Sequence, residues 1–150
     1  MNRWIALIGF LVLVMGGGLV IGYLTAPSAW YDGLAKPPFN PPGWVFAPVW
    51  TALYALIAIA GWRVWLEDAG GWPMRLWWLQ LALNFIWSPL FFGAHRIGLA
   101  LADILLLLAA ILAFIAVCSR QDRLAAWLFA PYAAWVGFAS LLNWSILALN

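Results

Sequence analysis

Long apolar runs separated by brief polar breaks dominate this chain. The runs extend approximately over residues 4–25, 44–66, 74–93, 97–118 and 124–147. Each reaches the roughly 20 residues that an α-helix needs to cross the hydrocarbon of a bilayer. The breaks are short except for 26–43, which leaves no room for a separate soluble domain. The pattern therefore predicts an all-α membrane protein, a single domain over 1–150 built as one bundle of five transmembrane helices. Arg3 ahead of the first run gives it the look of a signal peptide. The run is longer than a typical h-region and no A-x-A site closes it, so a retained helix is expected.

Composition supports this class. The chain is 67% hydrophobic and 8% charged, and a soluble domain of this length has too little polar surface to cover such a core. With five spans the termini lie on opposite sides. Arg3, Arg63, Arg75, Arg120 and Arg123 gather on the N-terminal side, against Lys36 and Arg96 on the other. The positive-inside bias places the N-terminus on the cytoplasmic side, with the first loop and the C-terminus opposite. Arginines flanking membrane helices account for the net charge of +2, so no nucleic-acid partner is implied. Cys118 is the only cysteine and His95 the only histidine, which excludes a disulfide framework or a Cys/His metal cluster within one chain. Cys118 reads as an inert thiol at a helix end. His95 reads as a solvated turn residue, with haem ligation the competing reading.

The 26–43 connection holds Pro37, Pro38, Pro41 and Pro42 beside Trp30, Tyr31, Phe39 and the following Trp44. Proline at that density excludes helix and favours a stiff, extended path. Rigidity combined with aromatic density predicts a lid on the membrane surface; a belt anchor is the alternative.

Polar residues within the spans point to the bundle interior or to function, because lipid penalises them. Gln80, Asn84 and Ser88 recur every four residues and share one face. Asp103, Ser140 and Asn143 lie in the last two helices. Interhelical hydrogen bonding explains such residues without any ligand. Depth adds a pattern. Trp50 falls about six residues below the outer rim, roughly 9 Å at the helical rise, and Tyr54 one turn deeper. Ser88, Phe91, Asp103, Ala139, Leu142, Gly18 and Gly22 occupy the same outer half, and Trp135 lies nearer mid-depth. Aromatic walls, small residues and a few polar groups at one level are what an apolar ligand pocket requires. An ordinary aromatic core is the competing reading. Gly18 and Gly22 form a GxxxG pair, open to three readings: intramolecular packing, a dimer face or space for a ligand.

These residues resemble a known family. Trp30-Tyr31 through Lys36-Pro37, then Pro41-Pro42, Trp44, Trp50 and Leu53-Tyr54, look like the first-loop and second-helix pattern of the TspO/MBR family. These are the tryptophan-rich sensory proteins, a group that includes the mitochondrial translocator protein. The likeness continues in residues 83–93, in Ala100-Leu101-Ala102-Asp103, in residues 131–135 and in residues 138–143. It covers nearly the whole chain in order. The resemblance implies a five-helix bundle, usually a homodimer, that binds porphyrins, haem and benzodiazepine-type drugs beneath the first loop. Carried over by position, it makes Trp50 and Trp135 the pocket tryptophans. Trp30, Tyr31 and Pro41 belong to the lid side, and Tyr54, Asn84, Ser88, Phe91, Ala139 and Leu142 to the walls. No cofactor is obligatory and no metal site is implied; porphyrin or haem enters as ligand.

This chain departs from the family pattern in places. Phe39 stands where tryptophan is common, losing an N–H donor at the lid. Ser88 stands where some members carry a longer asparagine. Trp144 replaces the tyrosine of the animal cholesterol motif, and no Lys or Arg follows Arg123, so that motif cannot form. The expected function is tetrapyrrole binding and sensing, with a regulatory role linked to tetrapyrrole metabolism. One alternative is a light- and oxygen-dependent porphyrin-degrading enzyme, with Trp50 and Trp135 as the catalytic candidates, since the chain has no G-x-S-x-G or P-loop. The other is a transporter of porphyrins or similar small molecules, although no inverted repeat is visible.

Overall fold

The computed structural model describes residues 2–150. The described residues form helices without strands. Helix α1 (Arg3–Leu24) begins where the Asn2 side chain accepts the Trp4 N–H at 2.8 Å, a side-chain N-cap. It passes through a π-turn at Val12–Gly16. A short helix α2 (Ala29–Asp32) interrupts the long connection. Helix α3 (Gly43–Glu67) follows the prolines. Helix α4 (Trp72–Ser88) carries Pro73 in its first turn, where the missing N–H has no helical partner to lose. Pro89 removes a backbone donor further on, and the chain continues as a π-turn, Pro89–Gly93. Helix α5 (Ile97–Gln121) and helix α6 (Arg123–Leu149) complete the bundle, with α6 broken briefly at Phe129 just before Pro131.

Four of these helices, α1, α3, α5 and α6, are long and apolar enough to cross a membrane. Their large outward-facing side chains are lipid-like: Ile5, Ile8, Val12 and Leu19 on α1, and Leu105, Leu106 and Leu112 on α5 are all exposed. Four of the five expected runs fall on these four helices, and the remaining one falls on α4. The third begins at Trp72 rather than Met74, and the fourth reaches Gln121 rather than Cys118.

The helices pack as a ring in which α3 touches α1, α1 touches α4, α4 touches α5, α5 touches α6 and the start of α6 returns to α3. Indole donors tie the helices together. The Trp77 Nε1–H of α4 donates to the Ile57 carbonyl of α3 at 2.9 Å. The Trp62 Nε1–H of α3 donates to the Arg3 carbonyl of α1 at 2.7 Å. The Trp87 Nε1–H of α4 donates to Asn143 Oδ1 of α6 at 2.9 Å, and Asn143 Nδ2 donates onward to the Ile97 carbonyl of α5 at 3.1 Å. At the arginine-bearing end, Arg63 donates to both carboxylate oxygens of Asp122 at 2.9 and 3.1 Å. Asp122 also accepts the Ala125 N–H and so caps α6.

Two glycines permit close approach. A Cβ on Gly61 would run into the Trp77 indole, and one on Gly18 into the Tyr54 ring. Of the GxxxG pair, Gly18 therefore serves packing inside the bundle. Gly22 is exposed, with nothing within 4 Å of where its Cβ would stand.

Candidate ligand site

A polar chain crosses the middle of the bundle. Tyr132 of α6 donates its hydroxyl to Gln80 Oε1 at 2.8 Å and accepts the Asn84 amide at 2.7 Å. Asn84 Oδ1 in turn accepts from the Tyr54 hydroxyl at 3.4 Å. The i,i+4 spacing of Gln80 and Asn84 does place both on one inward face, as expected. Ser88, one turn on, is engaged differently: its hydroxyl lies 2.6 Å from that of Thr25, tying α4 to the end of α1. Ser140 bonds back to its own helix at the Val136 carbonyl.

The sequence-derived site residues fall into two groups. In the first, Trp50 packs on Tyr54 with ring centroids 5.3 Å apart. Trp135 lies edge-to-face with Phe46 at 5.8 Å and beside Phe138 at 5.8 Å. Phe39, from the proline-rich segment, reaches Phe138 at 6.2 Å. Trp50, Tyr54, Trp135 and Ala139 all pack against the main core, and Pro41 is half-buried. Leu142 is buried on α6.

In the second group, Trp30 and Tyr31 pack edge-on against Phe91 at 5.9 and 6.2 Å. Phe91 is buried in a separate small cluster with Ala100 and Ile146. Trp87 stacks on the same ring at 5.1 Å. Trp30, Tyr31 and Phe91 thus form an aromatic wedge apart from the main core, against which Trp50 and Trp135 pack.

Several contacts of the first loop were not foreseen from its sequence. His95 is exposed, as expected, but stacks flat on Trp30. Lys36 sits 4.4 Å from the Tyr31 ring centroid, a cation–π contact. The Asn150 side chain clasps Ala35 twice, accepting its N–H at 3.1 Å and donating to its carbonyl at 2.9 Å. Phe46 and Phe138 carry no site role in the sequence pattern, although both touch Trp135. Helical spacing offered a signal, since each lies one turn from a tryptophan already singled out.

Three buried polar atoms have no partner among the described residues: Trp135 Nε1, Asp103 Oδ2 and Gln80 Nε2. A buried polar atom without a partner costs about 1–3 kcal/mol.

Comparison with known proteins shows the family. The family model for the TspO/MBR family matches residues 10–149. The translocator protein of Bos taurus is 38% identical over 149 residues, covering 94% of this chain and 88% of the relative. The tryptophan-rich sensory protein of Cereibacter sphaeroides is 37% identical over 147 residues, covering 98% and 92%. The tryptophan-rich protein TspO of Archaeoglobus fulgidus is 38% identical over 150 residues, covering 96% of each chain. With a match along nearly its whole length, this chain belongs to the TspO/MBR family of membrane proteins.

Proposed function

We propose that this protein binds porphyrins or haem, and benzodiazepine-type ligands, in a pocket beneath the first loop, and that binding serves a regulatory role linked to tetrapyrrole metabolism. In this reading α4 with its π-turn, Trp72–Gly93, is the fifth membrane span. The 26–42 segment is the lid, and the assembly is a homodimer with exposed Gly22 available to close helix contact.

The observation that carries the reading is the buried, unpartnered indole N–H of Trp135. The Trp135 ring neighbours those of Phe46 and Phe138, and Phe39 of the proline-rich segment contacts Phe138. An aromatic wall suits the face of a flat macrocycle, and an oriented N–H suits an acceptor on it. Tyr54 and Asn84 extend the wall with polar groups, next to Trp50. Lys36 and Arg96 are the basic residues of that side and would meet the carboxylates of a porphyrin.

Titration of the purified protein with protoporphyrin, followed at the Soret band, tests the reading. Saturable one-site binding, displaced by a benzodiazepine-type ligand, is the expected result. Absorbance indistinguishable from that of porphyrin in empty detergent micelles overturns it.

A further inference from the structure

Charged residues at the arginine-bearing end of the bundle surround a recess that the ligand reading leaves unused. Its volume is about 160 Å³, and it is lined by Arg3, Trp62, Arg63, Leu66, Glu67 and Asp122. Two of these charges compensate each other, because Arg63 holds Asp122 through two hydrogen bonds. That pairing leaves further guanidinium N–H groups of Arg63 able to donate. Arg3 lies 5.3 and 5.6 Å from the ring centroids of Trp4 and Trp62 and has no carboxylate partner among the described residues. Glu67 likewise has no basic partner among them. The recess therefore presents donors for an anion and, beside them, a carboxylate left over for a cation.

Its position is equally specific. It lies where α1 begins, α3 ends and α6 begins, at the ends of membrane-length helices, which is the depth of lipid headgroups. The outer face of α1 continues away from it through exposed Ile5, Ile8 and Val12, a track suited to acyl chains.

We propose that this recess binds the headgroup of phosphatidylethanolamine, with the phosphate on Arg3 and Arg63 and the primary ammonium on Glu67. A purely anionic headgroup would set negative charge against Glu67. A choline headgroup offers no N–H to that carboxylate. The site depends on the helices crossing a membrane but not on the porphyrin reading.

Native mass spectrometry of the full-length protein in detergent, with defined phospholipids added, reads the preference. Phosphatidylethanolamine binds about tenfold tighter than phosphatidylglycerol or phosphatidylcholine of the same chain length. Glu67→Gln removes the preference over phosphatidylglycerol, and Arg3→Gln weakens both lipids. Both side chains are exposed, so an unchanged melting temperature without lipid verifies that the variants fold. Protoporphyrin affinity stays the same in both. Equal binding of the three lipids, or a preference that survives Glu67→Gln, overturns the proposal. So does glycerophosphoethanolamine competing as well as the intact lipid, because the ligand is then a soluble phosphoester.

Discussion

The His95 imidazole lies on the Trp30 indole with ring centroids 4.0 Å apart and planes 8° from parallel. His95 holds this pose from a left-handed backbone conformation, φ 57°, in the turn between α4 and α5. A non-glycine residue is uncommon there, although histidine is among those that tolerate it. The stack joins the first loop to the α4–α5 turn, next to the contact of Trp30 with Phe91.

Removing the ring frees the loop without straining the turn if glycine replaces it. An aromatic contact of this kind contributes about 0.5–1.5 kcal/mol, so His95→Gly speeds ligand release by roughly two- to tenfold. Stopped-flow displacement of bound porphyrin measures the rate. Asn150→Ala, which deletes the clasp on Ala35, acts in the same direction.

At the other end of the bundle, burial works to raise the Asp122 pKa. The Arg63 hydrogen bonds, the Ala125 and Leu124 N–H groups and the guanidinium charge outweigh it and hold the carboxyl below its ordinary value. A carboxyl with a lowered pKa in the folded state stabilises folding above its unfolded pKa of about 3.9, and that contribution is lost as pH falls through the lowered folded value. Asp122→Asn is therefore expected to destabilise by about 1–3 kcal/mol at neutral pH, with the difference from wild type shrinking below roughly pH 4. Thermal unfolding in detergent at both pH values checks the sign.

Tyr132→Phe leaves Gln80 Oε1 and the Asn84 amide short of a partner inside the bundle. Hydrogen bonds between membrane helices contribute less than a water-based account suggests, so a loss of about 1–2 kcal/mol is expected. Denaturant or thermal titration of the variant gives the value. Loosening of Asn84 also weakens ligand binding in this account.

Gly61→Ala and Gly18→Ala separate packing from binding. The first methyl meets Trp77, which is buried and bonded to Ile57, and overpacking there destabilises by about 1–3 kcal/mol. The second meets the Tyr54 ring, which packs on Trp50, so porphyrin affinity falls as well as stability. Melting curves and Soret titrations on the same samples distinguish the two effects.

Much of the fold was legible in the chain because lipid imposes one rule on every span. Apolar runs announce helices, and Gln80 and Asn84 announce an inward face by their spacing. The ends were less legible. Proline in the first turn starts α4 two residues ahead of the apolar run, and the run ending near Cys118 is extended to Gln121, next to the Asp122 cap. Long-range partners were not legible at all. Nothing in the spacing of Ser88 says that it meets the Thr25 hydroxyl, or in His95 that it meets Trp30. Trp50 and Trp135 could be singled out by depth and by resemblance. The missing acceptor at Trp135 appears only when the helices are assembled around it.

Trp135→Phe removes that indole N–H while keeping an apolar ring. The decisive measurement is the protoporphyrin dissociation constant, from Soret titration, for wild type and this variant, with exposed Trp144→Phe as the control. Loss of a buried hydrogen bond predicts weakening of roughly five- to tenfold or more for Trp135→Phe and none for Trp144→Phe. Equal affinity in all three proteins would contradict the account.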